Sequence, residues 1–149
     1  MSLENWLGSG WLVSHATSPQ EISDLLAVTD RDLKDCQTPG LSSDWRLNIA
    51  YNAAIQSATA ALVACGYRAA REAHHFRVIQ SLSLTIKTPA SIVAQLDRFR
   101  KKRNIGGYER AGNVSDFEAK EMLSLAIFIR QEVGRWLSVN HPNLISKKE

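Results

Sequence analysis

A chain of 149 residues is sized for one domain rather than two, and such a domain buries roughly 68–70% of the surface its unfolded chain exposes, so it needs no disulfide or metal to fold. Only two cysteines occur, Cys36 and Cys65, with no Cys-x-x-Cys pair, which argues against a disulfide scaffold or a zinc site and suits a reducing cytoplasm. The formal net charge of +3 excludes a histone-like or tail-type polyanion binder, so any anion site has to come from local clustering.

No apolar run approaches the roughly 18 residues of a membrane span. Met1-Ser2-Leu3-Glu4-Asn5-Trp6 lacks a basic start followed by an apolar run, so no signal peptide is expected. These features predict a cytoplasmic protein with no membrane partner. Residues 1–17 are poor in helix signals and read as an N-terminal segment that Trp6 and Trp11 anchor on a helical domain. That domain spans 18–141, and 142–149 is a tail.

Ser18-Pro19-Gln20-Glu21 reads as a capping box with proline at the first helical position. It predicts a helix from about Pro19 to Cys36, with Ile22, Leu25, Leu26 and Leu33 on a rough 3–4 residue period and Val28 off that face. Thr38-Pro39-Gly40 breaks it. A second helix starts at Ser42 or Ser43, with Asp44 at the positive end of its dipole. It runs to Cys65, where Gly66 suits the left-handed closing position. Its alanine-rich middle lets neighbouring helices approach closely, as a central helix requires. A third helix is expected over about Arg68 to Leu84.

Thr88-Pro89 opens a fourth helix, with Ile92, Val93, Leu96 and Phe99 in one stripe. It ends in a basic run. Gly106, Gly107 and Gly112 interrupt the pattern, and Ser115-Asp116-Phe117-Glu118 is a second capping box. The fifth helix behind it buries Met122, Leu125, Ala126, Ile129, Val133 and Trp136, and Pro142 closes it. No run alternates in the manner of a strand. The fold class expected is all-α, an up-and-down antiparallel bundle of about five helices.

The candidate chemistry lies in Arg98, Arg100, Lys101, Lys102 and Arg103. One reading is a solvated helix end, where cations offset the negative end of the dipole. The other is a phosphate site. The charge density exceeds what a helix end requires, and Arg103-Asn104 leads into glycines whose bare amides can approach a phosphate. Arginine's planar fork also fits phosphate oxygens in pairs. On the third helix Arg68, Arg71 and His75 follow i, i+3, i+7 spacing and share a face. That face either extends the basic surface, with His74 or His75 as a candidate base, or is merely solvated. Asn48 and Asn52, with Tyr51 between them, either reach the same region or face solvent. No phosphate loop, paired-carboxylate site, metal-ligand spacing or serine nucleophile motif is present, so neither a cofactor nor a metal is expected.

Arg103-Asn104-x-x-x-Tyr108, followed by a capped helix reading EAKEMLSLAIFIRQEV, resembles the HEPN superfamily of small all-helical domains. The stretch WRLNIAYNAAIQSATAALVACGYRAAREAHHFRVIQSL is similar to the two long helices that precede the signature there. The likeness covers roughly Leu25 to Leu137. It implies a metal-independent RNase site made by Arg103, Asn104 and Tyr108, with RNA or a nucleotide as ligand. It also implies a homodimer, and an antitoxin or nucleotidyltransferase as partner in a bacterial two-gene module. The family signature ends in histidine. One branch instead carries an Asp-Tyr pair, of which Tyr108 is present while Gly107 replaces the Asp. A tyrosine with a pKa near 10 is a poor base at neutral pH. The expectation is therefore RNA or nucleotide binding with weak or no cleavage. The alternative is a non-catalytic helical module that binds a protein or a small substrate.

Overall fold

In the computed structural model, residues 2–105 and 114–145 are described, without the side chains of Asn104 and Ile105. Six helices carry the architecture: α1 Leu3–Gly8, α2 Pro19–Asp35, α3 Ser43–Ala64, α4 His74–Thr85, α5 Ala90–Ile105 and α6 Asp116–Asn140. A short 3-10 turn follows at Pro142–Leu144. Helix accounts for 74% of the described residues. The fold is an all-α helical bundle.

The caps set the helix starts. Ser18 Oγ accepts from the Glu21 amide at 3.1 Å, and Ser42 Oγ accepts from the Trp45 amide at 3.2 Å. The box at the head of α6 is complete, because Ser115 and Glu118 each accept from the other's backbone amide, at 2.9 and 3.0 Å. The box expected at Ser18 forms only by half. The Glu21 carboxylate turns instead to His15 Nε2 at 2.9 Å and the Thr17 hydroxyl at 2.6 Å.

α3 lies at the centre and packs against α2, α4, α5 and α6. Ala50, Ala53, Ala54, Ala58, Ala60 and Ala61 are wholly buried, and their small side chains are what allow four helices to close on one. α6 returns to α3 rather than to α5. The Ser43 hydroxyl donates to the Asp116 carboxylate, and Arg46 reaches it at 2.7 Å, which fastens the first turns of α3 and α6 together. On α6 the buried face is Met122, Leu125, Ala126, Ile129, Val133 and Leu137, with Trp136 only half-buried at its edge.

Two features depart from the expectations. α1 forms where no helix was expected, capped by Ser2 Oγ, which accepts from the Asn5 amide at 3.1 Å. Its Trp6 is buried and meets Trp11 edge-on at 5.6 Å, so both tryptophans anchor the segment. The third helix does not begin at Arg68. Tyr67–Ala69 is a strand, β2, paired antiparallel with β1, Leu12–Ser14, in the register Leu12↔Ala69. Gly66, at φ +95°, turns the chain out of α3 into this pairing. The pairing buries Leu12 and Ala69. Three-residue strands are too short to leave an alternating pattern. The helix resumes only at His74, behind Ala73 in the left-handed region at φ 54°.

Candidate functional site

The basic run at the end of α5 divides by helical phase. Arg100 Nε donates to Asp97 at 2.7 Å, and Lys101 Nζ lies 3.6 Å from the same carboxylate. Lys102 pairs with Glu118 of α6 at 3.3 Å. Arg98, Lys101 and Lys102 line a groove of about 370 Å³ between α5 and α6, together with Phe99 and Glu121. Arg103 points elsewhere. Its guanidinium sits 5.1 Å from the centre of the Tyr51 ring on α3, and it has no carboxylate partner among the described residues.

Tyr51 is almost wholly buried, and a phenol there needs a partner. It finds His75 on the first turn of α4, with Oη 3.1 Å from Nδ1 and the rings 5.6 Å apart. Burial pushes the Tyr51 phenol up to about 12, while Arg103 and Arg100 pull it down and Asp97 raises it. Tyr51 is therefore neutral at physiological pH. Burial also holds the His75 imidazole below its ordinary 6.5, and the positive charges of Arg103, His74 and Arg100 add to that. A neutral imidazole thus stands beside an arginine that has no carboxylate partner among the described residues. His74 is turned away, with Nδ1 on the Ala70 carbonyl at 3.2 Å.

The structure brings together Arg103, Arg100 and His75, and adds Tyr51. It does not gather the rest. Arg68 lies exposed on β2, where its charge acts on Glu21. Arg71 is exposed in the turn before α4. The shared helical face expected for Arg68, Arg71 and His75 does not exist, because only His75 is helical. Asn52 donates to the buried Asp32 of α2 at 2.7 Å, and Asn48 donates to its own helix at the Asp44 carbonyl, 2.9 Å away. Neither asparagine turns to Arg103, although Tyr51 between them does. Tyr108 and the side chain of Asn104 lie outside the described residues.

Beside this cluster runs a series that sequence reasoning missed. The Arg77 guanidinium stacks 3.6 Å over the Trp11 ring and 5.3 Å from Phe76. Arg100 approaches the same Phe76 at 5.4 Å. The only signal in the chain is the interleaving of ring and cation in His75-Phe76-Arg77.

Among the described residues no three His, Cys, Asp or Glu side chains gather to hold a metal ion, and no helix is long and apolar enough to cross a membrane. Both thiols are free, and burial pushes both above the ordinary cysteine value. Chemically, Arg103 can take a phosphate oxygen and His75 can take or give a proton beside it. No family model, curated protein or solved structure matches the chain.

Proposed function

We propose that the chain is an RNA- or nucleotide-interacting protein of the HEPN type, in which Arg103 takes the phosphate and His75 supplies the proton acceptor that Tyr108 is poorly suited to be. The observation that carries this reading is the Tyr51–His75–Arg103 cluster, with Oη 3.1 Å from Nδ1 and the guanidinium 5.1 Å from the phenol ring. An all-α bundle whose charged helix end precedes a capped helix agrees with the resemblance. Cleavage is weak, because Tyr108 stands where the family signature has histidine and His75 Nε2 is a base in only one of its tautomers. When Nδ1 carries the proton and donates it to Tyr51, Nε2 is a base. In the other tautomer Nε2–H is a donor to phosphate and nothing more.

The experiment is RNA binding across a salt series, in chelator, with cleavage followed in parallel. Affinity falls steeply as salt rises, since phosphate contacts release counterions. Cleavage is weak and is lost in His75→Gln. Absence of salt-sensitive binding to any RNA or nucleotide overturns the reading.

A second reading, a protein-interaction module, draws on one observation. Phe117 is 68% exposed and lines, with Phe128 and Ile92, a second groove of about 440 Å³ between α5 and α6. The homodimer, and a two-gene partner such as an antitoxin or nucleotidyltransferase, belong to the first reading and rest on the resemblance.

A further inference from the structure

Three guanidiniums on one side of the bundle are each set against an aromatic ring. Arg77 lies over Trp11, Arg100 lies over Phe76 and Arg103 lies over Tyr51. Arg77 and Arg100 converge on the same phenyl ring, at 5.3 and 5.4 Å. Like charges brought together in this way repel, and the Asp97 carboxylate that answers Arg100 also answers Lys101. Arg77 has no carboxylate partner among the described residues. A ligand that is itself an anion relieves the repulsion. Arg100 joins the series to the phosphate site, since its charge acts on both Tyr51 and His75.

The rings define what kind of anion fits. Trp11 under Arg77 holds the guanidinium as a flat, charged plate. Such plates and aromatic faces are the surfaces on which unpaired bases stack, while a duplex keeps its base faces inside. We propose that this surface binds single-stranded RNA, with an unpaired base stacked on the Arg77 guanidinium beside Phe76 while Arg103 takes a phosphate of the same strand. The inference rests on the reading of Arg103 as the phosphate ligand and adds the substrate class.

The test uses the full chain and three fluorescent probes of equal length: a uridine oligomer, the same ribose-phosphate strand without bases, and an RNA duplex. The single strand binds about tenfold tighter than its abasic counterpart, the size of one stacked base, and tighter than the duplex. Arg77→Lys keeps the charge and removes the plate, so it erases the tenfold difference and leaves abasic binding unchanged. Phe76→Leu does the same, with far-UV circular dichroism checking the fold of each variant. Arg103→Ala weakens the based and abasic strands alike. Equal binding of the two strands overturns the stacking proposal and leaves the phosphate site standing, as does a difference that survives Arg77→Lys. Failure of every probe to bind in a salt-sensitive way overturns the phosphate reading, and the stacking proposal falls with it.

Discussion

His75 shows how burial can turn an ordinary residue into a chemical one. Its imidazole is held below 6.5 in the native state, whereas the unfolded chain takes its proton near that value. Below 6.5 the unfolded state binds more protons, so stability falls with pH down to the lowered native value. The contribution is fully present above 6.5. Denaturant unfolding over a pH series should show this decline, and His75→Gln should flatten it. Tyr51→Phe deletes the hydroxyl that meets Nδ1 and costs about 1 kcal/mol. On α5, Arg103→Ala should weaken RNA binding more than Arg98→Ala. Arg103 faces the cluster and Arg98 lines the α5–α6 groove. Equal losses in a binding titration would return the basic run to a general field of charge.

At the scale of elements, the caps decide what is legible. Ser42, Ser115 and Gly66 announce where α3 and α6 begin and where α3 ends, because each meets a backbone need that few residue types can meet. Ser115→Ala removes half of a complete box and should cost about 1 kcal/mol, read as a drop of about 2–4 °C in melting temperature. Gly66→Ala forces a side chain into the left-handed region, at about 1–2 kcal/mol. The sheet was not legible. Tyr67–Ala69 lies between two helical stretches and has no alternation of its own, and its partner is more than fifty residues away in the chain. Tertiary pairing overrode local propensity there, and the face expected from Arg68, Arg71 and His75 vanished with the helix. For the site, the clustering of Arg98 to Arg103 was visible. The split of that cluster by carboxylates was not, because Glu118 comes from another helix. The pairing of Tyr51 with His75 joins α3 to α4 and leaves no mark in either segment alone.

For the whole molecule, the central position of α3 means that every site residue is held by the same core. One copy of Arg103 and its neighbours is a short platform for a long polyanion, and a two-fold axis beside the end of α5 would set two copies of Arg103 in one groove. Sedimentation velocity at micromolar concentration should show a dimer. Dilution to a monomer should weaken binding to long RNA more than binding to a mononucleotide. A monomer at every concentration removes the shared groove and leaves the single site.

The two-stranded sheet carries a consequence in time. A pairing of three residues a side is marginal by itself, and α1 packs chiefly on β1, so the buried Trp6 and Leu12 are what hold this segment on the core. During synthesis Leu12–Ser14 must wait for Tyr67–Ala69 before it has anything to pair with. In the finished protein the amides of Leu12–Ser14 should exchange with solvent far sooner than those of α3. Trp11 adjoins β1 and lies under Arg77, so a change that loosens this pairing should loosen the Arg77 guanidinium on α4 as well.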